Sequence, residues 1–250
     1  MIASVQHGDH SYQIDLSKPL DISISLKHGK TSVNAWYQPS PTIQPVTDSD
    51  FVGSVAKGSP VNFNEVRFNP HSHVTHTECL GHITEEVFSV NEELKTYFVW
   101  AEVVSVAPEK VGEDVVVSAK VLKAARKHQG ANALIIRTLP NENTKRIMDY
   151  SHKNPPYLSK EAMEYIVAEG IEHLLVDLPS VDKEKDEGRL EAHKMFWGVN
   201  HQLRTSATIT EFVFVPDTVR DGLYWLNLQV APFENDAAPS RPVLFKPIEI

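Results

Sequence analysis

One cysteine, Cys79, stands in 250 residues. No intrachain disulfide can form, and a reducing compartment is the simplest expectation. Positive charge is also in deficit: 24 Lys and Arg against 33 Asp and Glu leave a net charge of −9. An acidic chain gains nothing from counterion release, so nucleic acid is not an expected partner. No apolar run approaches the roughly 20 residues of a membrane helix. The opening MIASVQHGDHSYQIDLS has neither a basic start nor an apolar stretch and does not read as a signal peptide. A cytoplasmic location without membrane contact is the expectation. Repeats, low-complexity blocks and the spacings of zinc fingers, zincins and P-loops are missing too.

Histidine is what the sequence has in excess. Of twelve, four fall between residues 71 and 82. The rest of the composition, 41% hydrophobic and 23% charged, is ordinary for a globular protein. The length suits one domain over residues 1–250, with no convincing linker.

Periodicity gives a coarse element order. Residues 12–26 alternate Leu20, Ile22, Ile24 and Leu26 on one face and read as strand. Residues 27–62 read as loops with short strands. Residues 96–106 read as strand and 118–128 as helix. The apolar run 133–137 (ALIIR) suits a strand buried on both faces. Ser159 can cap a helix through Ala168, with Gly170 to end it. Residues 173–178 read as strand, 190–197 as a short helix, and 207–215 and 223–233 as strands. The pattern predicts an α/β fold with a mixed sheet.

The histidines lie in His71-Ser72-His73-Val74-Thr75-His76-Thr77-Glu78-Cys79-Leu80-Gly81-His82. Residues two apart share a strand face, so His76 and Glu78 can meet one ion or ion pair. His82 keeps that parity if the chain stays extended, although Leu80-Gly81 reads as the end of the strand. Three titratable groups on one face are costly to bury without a metal or a hydrogen-bond network. The plain alternative is a surface loop that happens to hold histidines. Cys79 falls on the opposite face and reads as a small core residue. Trp36, Tyr37 and Trp100 fit either an aromatic pocket or ordinary packing.

From Val74 to His82 the chain resembles the bacterial kynurenine formamidases within the cyclase family. Their hallmark is His-x-x-x-His-x-Asp-x-x-x-His. Asp177-Leu178-Pro179-Ser180-Val181-Asp182 is similar to a second family mark. Segments 14–20, Arg137-Thr138 and 240–243 look like further family features. His193 and Glu211 stand where the family has a helical histidine and a strand glutamate. On residues alone, His193 beside Phe196-Trp197 also reads as a core histidine. Asp177 lies at the end of a buried strand, Pro179-Ser180 is a turn signal, and Asp182 reads as a residue that bonds local backbone amides. Glu211 among apolar neighbours demands a partner or a metal.

The resemblance implies a swivelling β/β/α-type fold, a homodimer and a hydrolase holding one or two divalent ions, zinc or manganese. His76, Glu78, His193 and Glu211 would be ligands and His82 the acid/base histidine. The implied reaction is hydrolysis of an amide-type C–N bond in a small molecule, N-formylkynurenine to kynurenine and formate. A cyclic amide of the isatin type, or a fold kept for ligand binding alone, are the alternatives. Two positions depart from the pattern. The family's first histidine falls on Ser72, and His73 is the expected replacement, with His71 or an altered site as the alternatives. Glu78 replaces an aspartate, so the ion could sit further from the strand.

Overall fold

The computed structural model describes residues 1–199 and 201–250. Among these, nine strands form one mixed sheet, labelled here in chain order. They are β1 Leu20–Asp21, β2 His76–Glu78, β3 Phe98–Val106, β4 Ala133–Thr138, β5 His173–Val176, β6 Thr208–Glu211, β7 Gly222–Asn227, β8 Ala237–Pro239 and β9 Val243–Phe245. Their order across the sheet is β8-β2-β6-β5-β4-β3-β7-β9-β1. The central strands β6, β5, β4 and β3 run parallel, and the strands flanking them on both sides pair antiparallel. The α/β class with a mixed sheet is therefore as the periodicity predicts.

Among the described residues, five short α-helices accompany the sheet: α1 Pro70–His73, α2 Val90–Glu93, α3 Ala119–Ala125, α4 Lys160–Ala168 and α5 Glu191–Phe196. None of the described helices is long and apolar enough to cross a membrane. All six residues of β4 are buried. Leu134 and Ile136 pack with Leu122, Met163 and Phe196 from the helices, while Ala133 and Ile135 pack against Val213 and Leu226 on the other face. That two-sided burial is why ALIIR lacks alternation. Ser118 and Ser159 cap α3 and α4, accepting from Val121 N and Ala162 N at 3.4 and 3.1 Å. Gly170 sits at φ 73° beyond α4.

Several segments end earlier than their patterns suggest, each for a local reason. Residues 12–26 do not form one strand. His10–Asp15 pairs in an N-terminal hairpin, and the Asp15 carboxylate then accepts from Ser17 N in a turn before Pro19. α3 stops at Ala125 because the Glu102 carboxylate takes the N–H groups of Lys127 and His128. β7 ends at Asn227, which faces Phe98 at the start of β3, and the predicted continuation to residue 233 is reduced to an isolated bridge between Val230 and Ser240. β6 ends at Glu211 because Phe212 turns at φ 55°.

Candidate metal centre

β2 is three residues long and lies between β6 and β8. His76 is paired with Glu211 and Glu78 with Ile209. His76, Glu78 and Glu211 therefore share one face at the edge of the helix-covered core, and all three are buried. The opposite face carries Thr77, bonded to Thr210 at 2.7 Å, and Cys79, which packs on Val90 and Ala238. Burial pushes the Cys79 thiol up to about 11, so it behaves as the core residue its parity predicts.

Beyond Glu78 the strand breaks into a 3₁₀ turn over Leu80–His82. That turn, rather than strand parity, brings His82 Nε2 to 3.8 Å from Glu78 Oε2. Before β2 the chain forms α1. Asn69 caps it, accepting from His71 N at 2.9 Å, and Pro70 opens it. Residues two apart on a helix point about 200° apart, so His71 and His73 cannot face the same way. His71 is the one that turns inward, with Nδ1 at 3.2 Å from Glu78 Oε2. His73, the expected ligand, faces a separate cavity lined by Pro39, Ser40 and Arg67, and its Nδ1 accepts from Asn69 N. The geometry thus corrects the expectation: His71 joins the centre and His73 does not. Ser72, where the family histidine falls, lines the edge of the cavity without a hydrogen-bond partner for Oγ.

His193 arrives from α5. Asp182 accepts from the N–H groups of Ala192 and His193 and from His193 Nδ1, the last at 2.6 Å. The turn reading of Asp182 is thus only half of its role, because the same carboxylate aims the ring. His193 Nε2 lies 3.1 Å from Glu78 Oε1 and 4.0 Å from Glu211 Oε1. Asp177, by contrast, binds Thr138 and Lys145 away from this cluster. No motif or spacing pointed to Asp236. It lies in a polar stretch 165 residues from His71, yet its Oδ2 meets His71 Nε2 at 2.9 Å and His82 Nδ1 at 3.0 Å. For His71, the Asn69-Pro70 helix start was the available signal.

The electrostatics show what the donor set lacks. Burial lowers the His76 imidazole to about 3, helped by the neighbouring His71 charge, so it is neutral. Its Nδ1 donates to the Val74 carbonyl at 3.1 Å, which leaves the Nε2 lone pair facing Glu211 Oε2 at 3.4 Å. No hydrogen bond satisfies the buried His76 Nε2, and the buried Glu78 Oε2 has the His71 ring 3.2 Å away. Burial opposes charge on His71 and His193, but carboxylate partners outweigh it and hold both near 10. Burial and the Glu78 charge push Glu211 well above its ordinary range. Burial opposes ionisation of Glu78, but the His82 charge and hydrogen bonds from His193 and His71 hold it well below its ordinary range. Unpaired lone pairs and two crowded carboxylates converge with nothing to share but protons. A divalent cation fits this set: the His71-His76-Glu78 and Glu78-His82-His193 groups each bring their ligand atoms within 4.8 Å of one another.

These groups open onto a cavity of about 330 Å³, with Trp36 and Leu190 as apolar walls and Gln38 and Asn69 as polar ones. Trp36, Leu190 and Phe212 are all held at positive φ, 58°, 48° and 55°. Such left-handed non-glycine backbone is uncommon and collects at functional sites. Of the other aromatics, Tyr37 bonds Glu184 at the surface and Trp100 packs on His7 and Tyr12. A larger depression of about 570 Å³ lies at Asp114, His152 and Lys183, where Lys183 pairs with Asp114.

The family described as "Putative cyclase" matches residues 14–183. No curated protein matches the chain. Several solved structures share its fold. A protein from Bacillus stearothermophilus described as a predicted metal-dependent hydrolase is 15% identical with a TM-score of 0.62, over 91% of this chain and 98% of that one. An isatin hydrolase bound to the product analogue thioisatinate is 16% identical with a TM-score of 0.60, over 92% and 93%. Isatin hydrolase A from Labrenzia aggregata is 11% identical with a TM-score of 0.65, over 91% and 93%.

Proposed function

Because the chain belongs to the cyclase family, we propose that it is a metal-dependent hydrolase of an amide-type C–N bond, with an arylformamide such as N-formylkynurenine as substrate. The observation that carries this reading is the convergence of His71, His76, Glu78, His193 and Glu211 in one largely buried cluster, with His76 Nε2 left unbonded. Those five residues would hold one or two divalent ions, zinc first and manganese second. The bound cation would supply a Lewis acid for the carbonyl and a water made acidic enough to ionise near neutral pH.

The chain supplies the rest. Trp36 and Leu190 line the cavity with apolar surface against which an aryl group can lie, and Gln38 and Asn69 offer hydrogen bonds. His82 lies at the cavity with Nδ1 engaged by Asp236, so Nε2 is its free nitrogen. Nε2 would take a proton as water adds to the carbonyl carbon and return it to the amine nitrogen as the C–N bond breaks. The products are the amine and formate.

Purified protein should carry stoichiometric metal and release formate from N-formylkynurenine. The cyclic-amide alternative is favoured by the likeness to isatin hydrolases. It predicts isatin ring opening without formate release. Absence of metal after chelator-free purification would sink both.

A further inference from the structure

Asp236 is not among the five residues proposed as ligands, although its carboxylate, His71 and His82 also bring their ligand atoms within 4.8 Å of one another, and it touches two of the histidines around Glu78. Its main chain is fixed: Asp236 O accepts from Cys79 N at 3.0 Å, directly after β2, and β8 begins at the next residue. Its side chain turns one oxygen, Oδ2, to both rings. The rings are stacked, with centroids 4.3 Å apart and planes at 29°. Resting on the proposed metal centre, we propose that Asp236 is a positioning residue that clamps His71 and His82 through one carboxylate oxygen and sets opposite tautomers on them.

The argument is one of donors and acceptors. An ionised carboxylate can only accept, so both contacting nitrogens carry hydrogen. With a cation in place of the protons that the metal-free cluster shares, His71 would keep its hydrogen at Nε2 and offer Nδ1, and His82 would keep its hydrogen at Nδ1 and offer Nε2. Those two free nitrogens are the ones that face Glu78 Oε2, at 3.2 and 3.8 Å. A carboxylate behind a ligating histidine is a common means of fixing its ring and basicity. Here one carboxylate serves a ligand and a proton carrier at once. It also accounts for the departure at residues 71–73. His71 comes from a position one residue before the family's histidine and enters from a helical turn. Asp236 gives that displaced ring its second point of attachment.

The test uses zinc-loaded, 15N-labelled protein, with imidazole 15N shifts and zinc affinity measured by chelator competition. Wild type should show His82 as the Nδ1–H form. Asp236→Ala should move His82 to the Nε2–H form and weaken zinc by about 10–100-fold. Asp236→Asn, whose carbonyl oxygen can still accept, should keep the Nδ1–H form with a smaller loss of affinity. If Asp236→Ala does not fold, the tautomer in Asp236→Asn decides. An Nε2–H His82 in wild type, or unchanged tautomer and affinity in Asp236→Ala, would overturn the clamp. Equal and near-complete loss of zinc in both variants would make Asp236 a ligand and overturn it too. Failure of the wild type to bind zinc would instead defeat the proposed function, with the His82 tautomer still measurable in the metal-free protein.

Discussion

At the scale of single residues, the centre separates groups that hold charge from groups that move it. Glu78, His76 and Glu211 are buried, whereas the His82 side chain is 30% exposed. A proton carrier must trade with solvent, and a ligand need not. His82→Ala should therefore lower kcat by about 10²–10⁴-fold while the metal content stays at its wild-type ratio. Parallel loss of metal would make His82 a ligand. His173 offers a test outside the centre. Burial, with the Arg204 charge, lowers it to about 4 from 6.5, and its Nδ1 bonds Thr208 Oγ1 at 2.9 Å. The folded state keeps it neutral. Its contribution is present in full above pH 6.5 and is lost as pH falls to about 4, where the unfolded chain takes a proton that the folded chain refuses. The loss is on the order of 3 kcal/mol. Denaturant titrations across that window should show a shallower slope in His173→Leu, and an unchanged slope would refute the assignment.

At the scale of elements, what was legible from sequence depended on period. The parity of His76 and Glu78 could be read because both lie on one strand, and two-residue alternation needs no other knowledge. The same rule does not extend five residues back, where Pro70–His73 is a helical turn and a step of two reverses the face. It also failed at His82, where a turn replaces the strand. His193 and Glu211 were located through family likeness, because nothing local to either says what stands opposite. Asp236 had neither signal. The 3₁₀ turn that delivers His82 depends on Gly81. A Cβ there would lie 2.2 Å from Phe88 O, backbone that cannot yield cheaply. Gly81→Ala should cost about 1–3 kcal/mol and reduce activity by shifting His82. A stable variant with wild-type kcat would show that the turn does not set His82.

At the scale of the whole molecule, the centre stores unfavourable charge that a cation would relieve. Saturating metal at about 100 times its dissociation constant adds about 2.7 kcal/mol, or roughly 5–10 °C in melting temperature for a chain of this size. Scanning calorimetry with and without chelator should show that difference. An identical melting temperature would mean that no ion binds the native state. The homodimer implied by family resemblance remains our proposal. Light scattering should give twice the 28.1 kDa chain mass, and a single-chain mass would reject it.

The placement of β2 also has a kinetic consequence. Thr77 meets Thr210 across 133 residues, His193 meets Glu78 across 115, and Asp236 meets His71 across 165. Contacts this distant in sequence close large loops, and such closures come late when a chain folds. The cluster should therefore be absent from early compact states. A metal added during refolding should leave the early rate unchanged and slow unfolding instead, so the ion acts as a latch on a finished molecule and not as a nucleus for it.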